Sequence, residues 1–77
     1  METKMLEKAK DVIDYIAFII TEFALTYKLS MRQAFDYLHH YGGIAFLDKH
    51  YGYEHTQNPV HTLEVMQRVC QRNGGAL

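Results

Sequence analysis

The chain has 77 residues, 48% of them apolar, with six Tyr, four Phe, and eight basic side chains against nine acidic ones. That length allows a single domain, residues 1–77, which buries only about 60% of its unfolded surface, while the apolar content is too high for disorder. A net charge of −1 leaves no basic face of the kind that neutralises phosphates, which argues against a nucleic-acid partner.

Apolar residues recur with helical spacing, and no segment keeps the period-two alternation of a half-buried strand. The expected fold is all-α, a small compact domain of three longer helices plus one short helix. The first helix is expected from about Lys4 to Tyr27. At 100° per residue, Met5, Ala9, Val12, Ile13, Ile16, Ile20, Phe23 and Tyr27 gather on one stripe, flanked by Ile19, with Asp11, Asp14 and Thr21 opposite. Val and Ile are mediocre helix formers, so this helix depends on tertiary burial and should be the spine of the domain. It opens on the alternating charges of Met1 to Lys4, not on a signal core. Its longest apolar run, Tyr15 to Ile20, is far short of the roughly 20 residues that cross a bilayer, so a soluble cytoplasmic protein with no membrane contact is expected.

Phe18 and Leu25 lie seven residues apart on this helix, with Tyr15 and Glu22 beside them, and point away from the main stripe. Two readings are open. Either later helices cover both sides of the spine, or Tyr15, Phe18, Glu22 and Leu25 form a contact patch for another chain, such as a homodimer through antiparallel first helices.

Ser30 and Gln33 have the spacing of a capping box that opens the second helix. This helix should run to about Tyr41, with Met31, Ala34, Phe35, Leu38 and Tyr41 inward, and close at Gly42-Gly43. A short third helix, about Ile44 to Tyr51, would supply Ile44 and Leu47 to the core and stop at Gly52. Asn58-Pro59 opens the last helix as N-cap and first helical residue. Leu63, Met66 and Cys70 share its inner side with Val60 and Val69 at the margins, and Arg68 and Arg72 near its end complement the helix dipole. Gly74-Gly75 closes it. Cys70 is alone and makes no internal disulfide, which fits a reducing compartment.

Five histidines, His39, His40, His50, His55 and His61, invite a metal reading. No two of them have the i, i+4 spacing of a helical clamp, and Cys70 has no partner cysteine, so no metal and no other cofactor is expected. A helix–turn–helix over Ser30 to Tyr51 is the alternative from another class. Its recognition helix would carry Lys49 as its one firm cation, beside Asp48. For an enzyme there is no nucleophile near the histidines, and none is expected.

The run Tyr51-Gly52-Tyr53-Glu54-His55-Thr56-Gln57 is the least explained by packing. Thr56 and Gln57 could satisfy free backbone N–H groups where the chain enters the last helix, and His55 could pack on Tyr51 or Tyr53. The same four side chains, Tyr51, His55, Thr56 and Gln57, could instead form a binding surface. This H-T-Q segment, and the order of features from about Val12 to Val69, resemble domain-of-unknown-function family 3791, short all-helical bacterial proteins with an H-T-Q loop. The resemblance implies a fold more than an activity. It also implies gene neighbours with an ADP-ribosyltransferase-like domain, and so an accessory or antitoxin-like partner. Members more often carry acidic residues around positions 61–63, where this chain has His61, Thr62 and Leu63. The function expected is therefore a protein-interaction or regulatory module with a protein partner or a second copy of itself.

Overall fold

The inward stripe of the first helix finds partners over only part of its length. In a computed structural model the chain forms α1 (Glu2–Tyr27), α2 (Met31–His40), α3 (Gly43–Lys49), α4 (Tyr51–Glu54) and α5 (Pro59–Arg72). The structure describes residues 2–77, and their side chains from residue 7 on; the side chain of Met5, expected on the stripe, lies outside the described residues. No strand occurs among the described residues, and none of their helices is long and apolar enough to cross a membrane.

Ile19, Ile20, Phe23 and Ala24 of α1 meet Ala34 and Leu38 of α2, Leu47 of α3, and Met66 and Cys70 of α5 in one buried cluster. Each large apolar side chain fully buried there contributes about 1.5–3 kcal/mol. Phe23 lies flat on Tyr37 at 5.7 Å, and Tyr27 and Tyr41 extend the aromatic row. A helix of 26 residues is roughly 39 Å long, whereas the 10 residues of α2 cover roughly 15 Å. The other helices therefore gather on the second half of α1. Ile13, expected inside, is 65% exposed because no later helix reaches it. Met31 and Phe35, also expected inside, are exposed. Ala34 and Leu38 take the buried stripe of α2, which turns Met31 and Phe35 toward an uncovered side of α1. Val60, at the margin of the last helix, is exposed as well.

The ends of the helices follow from local chemistry. Tyr27 ends α1 with Lys28 in the left-handed region (φ 56°), and the Leu29 N–H donates to the Ala24 carbonyl at 2.8 Å. The capping box of α2 is complete: the Gln33 N–H donates to Ser30 Oγ at 3.0 Å, and the Ser30 N–H donates to Gln33 Oε1 at 2.9 Å. Gly42, at φ 83°, turns the chain between α2 and α3. Asn58 Oδ1 accepts from the Val60 N–H at 2.9 Å and Pro59 opens α5. Past α5, Gly74 is left-handed at φ 100°, and the Leu77 N–H donates to the Tyr37 hydroxyl at 3.0 Å, which folds the last residues back over α2.

The short third helix differs from expectation. It breaks at His50 into α3 and the single turn α4, and Gly52 lies inside α4 instead of ending a helix. Gly43, in contrast, lies where α2, α3 and α5 meet: a Cβ there would stand 3.0 Å from Leu38 Cδ2 and 3.2 Å from both Cys70 Sγ and Met66 Cγ. These two glycines predict opposite outcomes. Gly43→Ala should lower the unfolding free energy by about 1–3 kcal/mol through overpacking. Gly52→Ala, with nothing within 4 Å of its Cβ, should raise it by about 0.4–1 kcal/mol. Urea titration of both variants checks the pair, and a stabilised Gly43→Ala would contradict the packing described.

Candidate functional site

His50 (φ −107°, ψ 19°) ends α3 and starts α4, so Tyr51 and Glu54 fall three residues apart on one side of a helical turn. That side faces the protein. The Tyr51 ring meets the Tyr15 ring of α1 edge-on, with centroids 5.5 Å apart at 72°. Glu54 is only 3% exposed. Tyr15 reaches across to α5, where its hydroxyl donates to Oγ1 of the fully buried Thr62 at 3.3 Å. Tyr15 therefore has a place in the interior, at a polar junction of α1, α4 and α5, and is not part of an outward patch with Phe18.

On the outer side of α4, the H-T-Q residues cap carbonyls. The His55 ring stacks on Tyr51 (4.4 Å, 11°) and its Nδ1 lies 2.7 Å from the Tyr51 carbonyl oxygen. A carbonyl can only accept, so Nδ1 carries the proton and Nε2 is left as the second ring nitrogen. Thr56 Oγ1 donates to the Tyr53 carbonyl at 2.6 Å, and Gln57 Nε2 donates to Thr56 Oγ1 at 3.1 Å. Sequence reasoning aimed these side chains at the N–H groups of the last helix. Asn58 already caps that helix, so the H-T-Q residues serve the end of the preceding turn instead. His55 and Thr56 are exposed, and Tyr51 and Gln57 half-buried. The segment thus brings together all four residues singled out from the sequence.

Glu54 is the residue sequence reasoning missed. Among the described residues, its buried Oε1 has no hydrogen-bond partner. The signal was available in the spacing: once Tyr51 is inward on a helical turn, residue 54 must be inward too. Reading Gly52 as a stop hid that relation. Burial pushes the Tyr15 phenol above its ordinary value; its bond to Thr62 opposes this, and the Glu54 charge adds to it. Burial likewise raises Tyr37 and Cys70. Among the described residues, no three His, Cys, Asp or Glu side chains converge as a metal-holding group.

The second feature of the surface is apolar. Phe18 and Leu25 are 44% and 70% exposed, and Glu22 beside them is half-buried. No later helix covers this ridge. On another side of α1, an open groove of about 470 Å³ runs between α1 and α2, lined by Ala17, Ile20, Met31, Arg32, Phe35 and Asp36. Arg32 and Asp36 pair across one turn at 3.7 Å. Ile13, four residues before Ala17, continues the apolar side of the groove.

The model of a family described as protein of unknown function (DUF3791) matches residues 8–73. Nothing among curated proteins or solved structures matches the chain.

Two outcomes follow from the polar junction. A carboxylate with a buried oxygen lacking a partner weakens the fold relative to an apolar side chain of like volume. Glu54→Met should therefore raise the urea midpoint, with a gain of about 1–2 kcal/mol; a loss of stability would show that the carboxylate is well satisfied. The second outcome concerns alkaline pH. Tyr15, Tyr37 and Cys70 all have folded-state values above their ordinary ones of 10.0, 10.0 and 9.0. Their neutral forms are favoured by folding, so this contribution is complete below those ordinary values and is lost as pH rises through the higher folded ones. The melting midpoint should fall over that alkaline window, and Tyr15→Phe should make the fall shallower.

Proposed function

The chain belongs to the DUF3791 family, proteins of unknown function, and we propose that it acts as a small protein-interaction or regulatory module, not as an enzyme. The observation that carries this reading is the uncovered apolar surface of α1 and α2. Ile13, Met31 and Phe35 are exposed around a groove floored by Ile20. Full burial of such side chains is worth about 1.5–3 kcal/mol each, so covering this half-exposed set gives a partner a few kcal/mol. An accessory or antitoxin-like role beside an ADP-ribosyltransferase-like protein is the finer form of the same reading.

The H-T-Q turn supports the reading from the other direction. The Thr56 hydroxyl and one His55 nitrogen are engaged within the turn, so these residues are better suited to shaping the α4–α5 corner than to binding. The helix–turn–helix alternative is weaker: α3 has seven residues, directs Leu47 into the core, and offers Lys49 beside Asp48. Affinity capture from native lysate, with mass-spectrometric identification, tests the module reading with the wild-type chain and with the variant Met31→Glu, Phe35→Glu. A protein retained by the wild type and lost with the folded variant is expected. Identical capture by both, or capture of nucleic acid alone, would overturn it.

A further inference from the structure

Resting on the module reading, we propose that the side of α1 opposite the core docks a basic amphipathic helix of another protein, with apolar residues on Phe18 and Leu25 and cations on the carboxylates beside them. At 100° per residue, Glu7, Asp11, Asp14, Glu22 and Leu25 all fall within about 40° of Phe18. The stripe they form lies opposite Ile16, Phe23 and Tyr27, on the side of α1 that faces away from the buried cluster. Phe18 and Leu25 are exposed. They stand seven residues apart, the spacing at which one helix meets another along a single seam.

The carboxylates decide the charge of the partner. Glu7, Asp11, Asp14 and Glu22 share the stripe, and among the described residues none of them pairs with a cation; the ion pair found there is Arg32–Asp36. Lys8 and Lys10 fall about 80° to either side, at the margins of the stripe. Glu7 and Asp11 are four residues apart and Asp11 and Asp14 three, spacings at which like charges destabilise a helix. The helix dipole favours acids in the first turn alone, and aspartate is a poor helix former. Asp11 and Asp14 therefore weaken α1 in the free chain, and a cationic partner removes their repulsion.

Charge also excludes the other occupants. A second copy laid antiparallel across Phe18 sets Asp14 against Glu22 twice over, which opposes association. Nucleic acid and anionic lipid carry the same sign as the stripe. An uncharged apolar partner would take the carboxylates from water and give them nothing in return. Lysines or arginines flanking an apolar seam satisfy both features. From Glu7 to Leu25 the stripe offers such a helix ~27 Å, about five turns.

Calorimetric titration of the full chain tests the proposal. The probes are two synthetic helical peptides of about 18 residues with the same leucine seam, one flanked by lysines and the other by glutamates. The lysine peptide should bind, with an affinity that falls as salt rises, and the glutamate peptide should not. Phe18→Ser, which leaves the charge unchanged, and the double variant Asp11→Lys, Asp14→Lys should each weaken binding about tenfold or more, with helical circular dichroism retained. Met31→Ser, in the groove, should bind like the wild type. Failure of the lysine peptide to bind, or equal binding of both peptides, would overturn the proposal. So would unchanged binding by Phe18→Ser, which marks unspecific charge attraction, or a loss confined to Met31→Ser, which places the site in the groove. The module reading is judged separately, by the capture experiment with the groove variant.

Discussion

The structure depends on one stretch of α1, Ile19 to Ala24, because every longer helix packs against it. Ile19 and Phe23 sit one turn apart and have no exposed surface, and around them α2, α3 and α5 close at the Gly43 approach. In a chain of 77 residues with one cysteine, no cross-link supplements this cluster. Its few apolar side chains must offset the conformational entropy of the whole fold. Gathering on the second half of α1 makes the best use of them. The consequence is a first half of α1 with little cover, and apolar residues such as Ile13 remain at the surface.

The corner at α4 is built on a different balance. Tyr15, Tyr51 and Thr62 join α1, α4 and α5 by one edge-on aromatic contact and one long hydrogen bond. Glu54 is drawn into the same junction with an oxygen that has no partner among the described residues. The turn compensates locally: two of its carbonyls, those of Tyr51 and Tyr53, receive both a backbone N–H and a side-chain donor. The H-T-Q residues hold the outside of the turn while its inside carries a polar group at a cost. Thr62 is fully buried in this junction and accepts from the Tyr15 hydroxyl, so it serves the fold.

The surface of α1 divides by charge. An apolar ridge with carboxylates beside it and an apolar groove rimmed by the Arg32–Asp36 pair lie on different sides of the same helix. Both lie on the second half of α1, on sides of it that the later helices leave uncovered.

Much of this architecture was legible before folding was considered. The capping box at Ser30, the Asn58-Pro59 start of α5 and the turn at Gly42 are local chemistry, decided by side-chain oxygens, a fixed proline φ and a glycine φ that neighbouring residues do not alter. Helical periodicity likewise determined the all-α class and the burial of Phe23, Leu38, Met66 and Cys70. What needed the tertiary structure was which part of each apolar stripe is covered. Ile13, Met31 and Phe35 obey the same periodicity as Ile20, Ala34 and Leu38, yet lie outside, because periodicity specifies an apolar stripe and does not say which part of it a neighbouring helix covers. Glu54 and Tyr15 were decided at the same level: their burial results from the break at His50 and the meeting of three helices, contacts between residues as many as 47 positions apart.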